Sequence, residues 1–186
     1  IAENEAGHLL ALTNKVLTLS KLENQKLEMN KTEVPLAPML DRLVEKFKTK
    51  SQKQIEFLIN LQVESVYADA EYLEEIFCNL IDNSIKYSNE QVEIKISAEL
   101  NKNYTVIKVQ DNGLGIAEKD IHLIFQKFER ASAKSRNRKH GASGFGLGLS
   151  FVDQAVKAHA GKIFVTSIEG EFTEFAIYLP EATADV

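Results

Sequence analysis

Apolar positions along the chain fall into two periods, and their succession outlines the elements before any motif is considered. Leu9, Leu12, Val16, Leu19 and Leu22 recur at steps of three and four, widened by Leu10 and Leu17. That spacing predicts a helix with one apolar stripe. Such a stripe needs a covering partner, and no second long helix of the same kind follows, so we expect the partner in a preceding segment. Lys31 to Pro38 holds two prolines and reads as a connector. Leu40, Leu43, Val44 and Phe47 restore helical spacing from Met39 to Lys50. Short strands are expected at Ile55–Leu61 and Ser65–Ala68.

The most regular helical pattern runs from about Ala70 to Tyr87, with Asp69 as its N-cap. Leu73, Ile76, Phe77, Leu80, Ile81 and Ile85 make its buried face. Val92–Leu100 and Tyr104–Gln110 alternate as strands, joined by the polar turn Asn101-Lys102-Asn103. After a glycine-bearing loop, Ile116 to Phe128 reads as one or two short helical pieces. A basic stretch and a glycine cluster follow, then a helix from about Leu147 to Ala160 that ends at Gly161. Ile163–Ile168 and Phe172–Leu179 read as a closing β-hairpin. The order is helix, connector, then one α/β domain.

Composition narrows the class. The chain of 186 residues is 44% hydrophobic and 26% charged, with three prolines and no tryptophan. That suits one soluble core with a small extra element. No apolar run approaches a membrane span, and no signal-peptide pattern opens the chain. It starts at Ile1 within a helical pattern, so a longer parent protein is expected. The single cysteine, Cys78, cannot form an internal disulfide, which favours a reducing, cytoplasmic compartment. A net charge of −5 argues against non-specific nucleic-acid binding. The average hides a reversal: from Gln126 to Ser143 the only acid is Glu129, against Lys127, Arg130, Lys134, Arg136, Arg138 and Lys139. Such a segment is either a solvated face or a contact for an anion.

Four local groups could carry chemistry. Asn79, Asn83 and Lys86 stand at i, i+4 and i+7 of the predicted helix, bordered by Tyr87. The plain reading is a solvated helix face. The alternative gives Asn83 a hard amide oxygen for Mg²⁺ and Lys86 a charge for phosphate oxygens. The second group, Asp111-Asn112-Gly113-Leu114-Gly115-Ile116, is either a strand-ending turn or a base-reading loop. In the latter, Asp111 accepts from the exocyclic amine of adenine, where guanine would oppose it with a carbonyl. Gly113 and Gly115 would let backbone approach a flat base. Third, Phe125 and Phe128 in Ile124–Arg130 are expected to anchor one end of the basic segment in the core. Arg130 is then free to reach phosphate. Fourth, Gly144, Gly146 and Gly148 alternate just before a helix, exposing N–H groups at its N-terminus. No Gly-Lys-Ser/Thr follows, so this is not a P-loop, and the spacing does not fit a dinucleotide fingerprint.

In this order the four groups resemble the boxes of the bacterial sensor histidine kinase catalytic domain. NLIDNSIKYS (Asn79–Ser88) is similar to the asparagine box and DNGLGI (Asp111–Ile116) to the first glycine box. IFQKFER (Ile124–Arg130) is similar to the phenylalanine box and GFGLGLS (Gly144–Ser150) to the second glycine box. The match runs from about Met29 to Pro180. It implies a two-layer α/β sandwich of the histidine kinase, gyrase and heat-shock chaperone ATPase type (the Bergerat fold), with ATP beneath a mobile lid.

By position, the resemblance makes Asn83 the Mg²⁺ ligand and puts Asn79 in support of the phosphate–metal region. Lys86 meets phosphate, Tyr87 packs near the nucleotide, and Asp111 binds the adenine amine. Gly113, Gly115 and Ile116 shape the base pocket, Phe128 joins the ATP-binding set, and Arg130 reaches towards phosphate. Lys127–Ser143 becomes the lid, and Gly144, Gly146, Leu147 and Gly148 offer N–H groups to phosphate. SKLENQKLEM (Ser20–Met29) resembles the end of the second helix of the dimerisation and phosphoacceptor domain. The implied domains are 1–30 for that helix, 31–181 for the catalytic domain and 182–186 for a tail. The implied partners are a phosphoacceptor helix of the same protein, a response-regulator receiver domain and a second copy of the parent. The implied location is the cytoplasmic side of a membrane-bound sensor. His8 lacks the acceptor's acidic neighbour, and His122, His140 and His159 fall inside the catalytic part, so none of the four is expected to accept phosphate.

Other proteins with this sandwich hydrolyse ATP, and they resemble one another in a glutamate one turn before the metal asparagine. Asn79 stands there and cannot act as a general base. Glu75 lies a further turn away and Asp82 points elsewhere, so kinase chemistry is expected over hydrolysis. A nucleotide-binding module without turnover, or a serine kinase of the anti-sigma type, are the alternatives. Two departures from the family pattern are an extra glycine at Gly141 and the lack of Gly-Thr in EGEFTEFAIYLP.

Overall fold

A computed structural model of the protein describes residues 29–127 and 146–182, with Thr13, residues 16–20 and Leu22 before them. The elements run β1 (Lys31–Pro35), α1 (Leu36–Lys50), β2 (Gln54–Leu61), β3 (Ser65–Asp69), α2 (Ala70–Lys86), β4 (Gln91–Asn101) and β5 (Tyr104–Asp111). A 3₁₀ helix (Glu118–Leu123), α3 (Gly148–Ala158), β6 (Lys162–Ile168) and β7 (Phe172–Pro180) complete them. Five strands form one sheet in the order β2-β4-β5-β7-β6, parallel only between β2 and β4. The helices cover one of its faces, giving the two-layer α/β sandwich.

Strand alternation explains the layering. Along β4, Val92, Ile94, Ile96 and Ala98 are buried, while the residues between them face outward. Phe175, Ile177 and Leu179 of β7 do the same. Against that surface lie Leu36, Met39, Leu40, Leu43 and Phe47 of α1, and Leu73, Ile76, Phe77, Leu80 and Ile81 of α2. Phe151, Val152, Ala155 and Val156 of α3 complete a single apolar cluster. Each fully buried side chain of this size contributes about 1.5–3 kcal/mol of transfer free energy.

Two expectations about the first part of the chain change. The segment read as a connector is strand β1, which pairs antiparallel with β3 from Lys31↔Asp69 to Pro35↔Ser65. Its prolines are tolerated because Pro35 ends the strand and Pro38 lies in the first turn of α1, where N–H groups have no helical acceptor. The N-terminal stripe is also divided. Its described residues are helical, and Leu19 and Leu22 sink into the domain's own core, while Val16 and Leu17 stay exposed. Leu9, Leu10, Leu12 and His8 lie outside the described residues, as do His140 and Gly141.

The end of α3 also differs from expectation. The left-handed residue is Ala160, with φ of 59°, and not Gly161. Ala160 N–H donates to Lys157 O and Gly161 N–H to Val156 O, both at 2.9 Å, which is a Schellman closure. Gly161 is required for space instead: a Cβ there would lie 2.5 Å from Tyr178 O. His159 caps the helix from inside and is 1% exposed. Its Nε2 accepts from Asp69 N–H at 2.9 Å and its Nδ1 lies 2.7 Å from Ala155 O, which makes Nδ1 the protonated nitrogen of a neutral ring.

Ala160→Gly should raise stability by about 1 kcal/mol by relieving the left-handed alanine. Gly161→Ala should lower it, both read from urea midpoints. Burial pushes the His159 pKa down from its ordinary 6.5, so the unfolded chain takes up more protons in mild acid. Its contribution is present above the unfolded value and lost as pH falls through it. The urea midpoint should therefore drop between about pH 7 and about pH 5.5, and less so in His159→Gln.

Candidate nucleotide-binding site

The helical pattern of α2 brings its polar side chains to the open end of the sandwich. Asp69 begins the helix by accepting from Glu71 N–H and Tyr72 N–H. Lys53 closes its other end, donating from Nζ to Ile85 O at 2.6 Å and Ser88 O at 2.7 Å. The positive charge stands where the helix dipole is negative. A solvated face was one reading of Asn79, Asn83 and Lys86, and only Lys86 has that character. Asn79 is buried, Asn83 is half-buried, and Lys86 is an exposed residue ion-paired with Asp82.

Asp111 ends β5 opposite Thr173 of β7 and is 7% exposed. Its Oδ1 accepts from Gly113 N–H and its Oδ2 from the Ser84 hydroxyl, both at 2.9 Å, and Thr173 N–H adds a further donor. Burial pushes its pKa above the ordinary 3.8, and these three donors pull it back. The glycine loop that follows is laced to its surroundings. Leu114 N–H donates to Tyr87 O at 2.9 Å, Gly170 N–H to Leu114 O at 2.8 Å, and Ile116 N–H to Ser167 Oγ at 2.8 Å.

The glycines of this loop also serve the chain's own packing. A Cβ on Gly113 would stand 2.6 Å from Asp111 Oδ1 and 2.8 Å from Tyr87 O. Gly115 has φ of +61°, and its Cβ would overlap Ile168 O at 2.0 Å. Both hold the loop tightly enough to set Asp111 in place.

These pieces enclose a cavity of about 120 Å³. Its polar groups are Asn83, Tyr87, Asp111 and Thr173, and its apolar wall is Leu114, Ile116, Ile124, Leu149 and Phe175, with Gly115 between them. A mostly apolar cleft with a few convergent polar groups is the usual form of a small-molecule site. Among the residues singled out in the sequence, Asn83, Tyr87, Asp111, Gly115 and Ile116 line it. Asn79, Lys86, Gly113, Gly146, Leu147 and Gly148 do not line it.

Ser84, Leu114, Ile124, Leu149, Thr173 and Phe175 were not assigned to the site from sequence. Ser84, Leu114, Ile124 and Leu149 sat within the quoted motifs. Thr173 and Phe175 follow the inward phase of β7, but only the β5–β7 register brings them to Asp111.

The second glycine cluster meets α2 directly. Gly146 takes φ of +70°, and Leu147 is buried as the N-cap of α3, its side chain making no capping hydrogen bond. A Cβ on Gly148 would lie 3.0 Å from Asn79 Oδ1, so the start of α3 rests on that amide. The Asn79 Nδ2 donates to Glu75 O at 2.7 Å and Glu75 Oε1 at 3.1 Å. Phe128, Arg130 and Gly144 lie outside the described residues, as does the expected lid beyond Lys127.

Known proteins agree with this geometry. Residues 68–183 match the family model of histidine kinase-, DNA gyrase B-, and HSP90-like ATPases. The chain is 32% identical over 184 residues to the sensor histidine kinase WalK of Bacillus subtilis, covering 97% of this chain and 30% of that protein. Its structure is similar to that of Acinetobacter baumannii histidine kinase AdeS, with a TM-score of 0.80 and 26% identity over 97% of this chain and 82% of that one. It is also similar to full-length ShkA in complex with AMPPNP, with a TM-score of 0.81 and 26% identity over all of this chain and 38% of that one. The chain thus spans about 30% of the length of the curated relatives it matches. A buried carboxylate beneath an apolar cleft, the start of a glycine-led helix beside it, and these likenesses have one meaning: the chain belongs to the histidine kinase-, DNA gyrase B-, and HSP90-like ATPase family and is similar over nearly its whole length to sensor histidine kinases.

Proposed function

We propose that this domain holds Mg·ATP and delivers its γ-phosphoryl group to a histidine on a phosphoacceptor helix of the parent protein. A response-regulator receiver domain would take the group next, and the parent would act as a homodimer on the cytoplasmic side of a membrane. The observation that carries the reading is Asp111, a buried acceptor at the wall of an apolar cleft. Adenine's exocyclic amine satisfies it, and the flat base suits the walls of Leu114, Ile116 and Phe175. The proposed division runs 1–30 for a phosphoacceptor-domain helix, 31–181 for the catalytic domain and 182–186 for a tail. The start of β1 at Lys31 supports the first boundary.

The residues present fit a magnesium ion brought by the nucleotide. Asn83 lines the cavity with an amide oxygen, and among the described residues no group of three His, Cys, Asp or Glu could cage a metal alone. Mg²⁺ is ordinarily held by few protein ligands together with substrate phosphates, and when bound it offsets their negative charge. The roles left to the chain are positioning and exclusion of water. Asn83 orients the phosphate region, Tyr87 borders the base, and the uncapped start of α3 turns N–H groups towards anionic oxygens. Gly146, Leu147 and Gly148 belong to that start, and Lys86 can leave Asp82 for phosphate. Phe128, Arg130 and Gly144 are proposed to join from the basic segment.

Hydrolysis is disfavoured by the same geometry. Asn79 occupies the place one turn before Asn83, its amide nitrogen tied to Glu75. An amide cannot take a proton from water.

Calorimetry with ATP, ADP and GTP, with and without Mg²⁺, tests the reading. Wild type should prefer adenine nucleotides and respond to Mg²⁺, while Asp111→Asn should bind ATP at least about tenfold more weakly. Acid-labile phosphate should form only when a histidine-bearing acceptor helix is supplied. Label on the chain alone, or rapid release of free phosphate, would count against the kinase assignment.

A further inference from the structure

The Ser84 hydroxyl has one proton and two acceptors in reach, Asp111 Oδ2 at 2.9 Å and Leu80 O at 3.1 Å. Ser84 is 2% and Asp111 7% exposed, so neither group can turn to bulk water instead. Two arrangements satisfy the pair. With Asp111 ionised, Ser84 donates to Oδ2. With Asp111 protonated, Oδ2–H donates to Ser84 Oγ, and Ser84 turns its own proton to Leu80 O. In both, the proton lies between the two side chains, and Asp111 offers only acceptor character to the cavity.

We infer that Ser84 is the positioning residue that sets base choice here, keeping Asp111 an acceptor so that a 6-aminopurine is taken and a 6-oxopurine refused. The inference rests on the reading that Asp111 meets the base, and adds what holds it to that task. A carboxyl group free to turn a proton outward would meet the 6-oxo group as a donor and lose discrimination. Opposed acceptors, by contrast, leave buried lone pairs unpaired. The groups acting on Asp111 among the described residues are the Ser84 hydroxyl of α2, Gly113 N–H of the loop and Thr173 N–H of β7, all uncharged. Burial favours the protonated acid, and Ser84 is the side-chain donor opposing it.

The test compares ATP with inosine triphosphate, which differs in its 6-oxo group and lacks guanine's 2-amine. Calorimetry on wild type, Ser84→Ala, Ser84→Thr and Ser84→Cys would run from about pH 4 to about pH 8, upward from the ordinary carboxylate range. In Ser84→Ala the ratio of ATP to inosine triphosphate affinity should fall about tenfold. The pH at which ATP binding weakens should also move upward. Ser84→Thr should restore both, and Ser84→Cys, a weaker donor of similar size, should lie between. A parallel carboxyl ¹³C NMR titration of the nucleotide-free protein should show Asp111 protonating at higher pH in Ser84→Ala. An unchanged ratio, or an unchanged Asp111 titration, in folded Ser84→Ala or Ser84→Cys overturns the inference while leaving ATP binding intact. Failure of wild type to bind ATP would overturn the base reading of Asp111 and this inference with it.

Discussion

Burying a carboxylate between a helix and a sheet is costly unless donors meet it, and Asp111 is buried with three: a hydroxyl from α2, a loop N–H and a β7 N–H. Each donor comes from a different part of the fold. The helix must lie at the right depth on the sheet to present Ser84. The loop must tighten at Gly113, and β5 must keep its register with β7. One polar group therefore constrains three elements at once, and the apolar cleft is shaped around it.

The same economy appears at the opposite end of α3. His159 joins the end of that helix to Asp69, which caps α2 and also accepts from Asn30 N–H at 2.9 Å. Lys31 Nζ donates to His159 O at 3.3 Å. The starts of β1 and α2 and the end of α3 thus share one buried polar node. At its other end α3 begins against Asn79 of α2. Helix α3 is thus held to α2 at both of its own ends, and its glycine-led start keeps its position beside the asparagine face.

Polar residues on α2 divide the family's chemistry between wall and support. Asn83 and Tyr87 reach the cavity, whereas Asn79 turns to Glu75 and to the backbone of α3. An asparagine in that supporting place holds the neighbouring helix and offers no base for water. The seating of α3 therefore follows from one amide. The glycines behave likewise: Gly113, Gly115 and Gly148 each make room for a contact inside the protein.

Much of this was legible in the sequence because it is local. Helical spacing, strand alternation and the Asp69 cap depend on neighbours a few residues apart, and they gave α2, β4, β5 and the β6–β7 hairpin nearly to their ends. The order of four short motifs indicated the family and hence the fold. Strand β1 was not legible, since its pairing is with β3 thirty or more residues away and Pro35 and Pro38 together imitate a linker. Ala160 took the left-handed place because Gly161 was needed against Tyr178, a contact no local pattern encodes. Ser84, Thr173 and Phe175 look like ordinary helix and strand residues until the β5–β7 register and the seat of α2 bring them around Asp111. Sequence alone determined most of the elements, the family and the reactive residue types, because these are set by local period and chemical identity. Tertiary structure alone decided which side chains meet, because burial and hydrogen bonding act between segments distant along the chain.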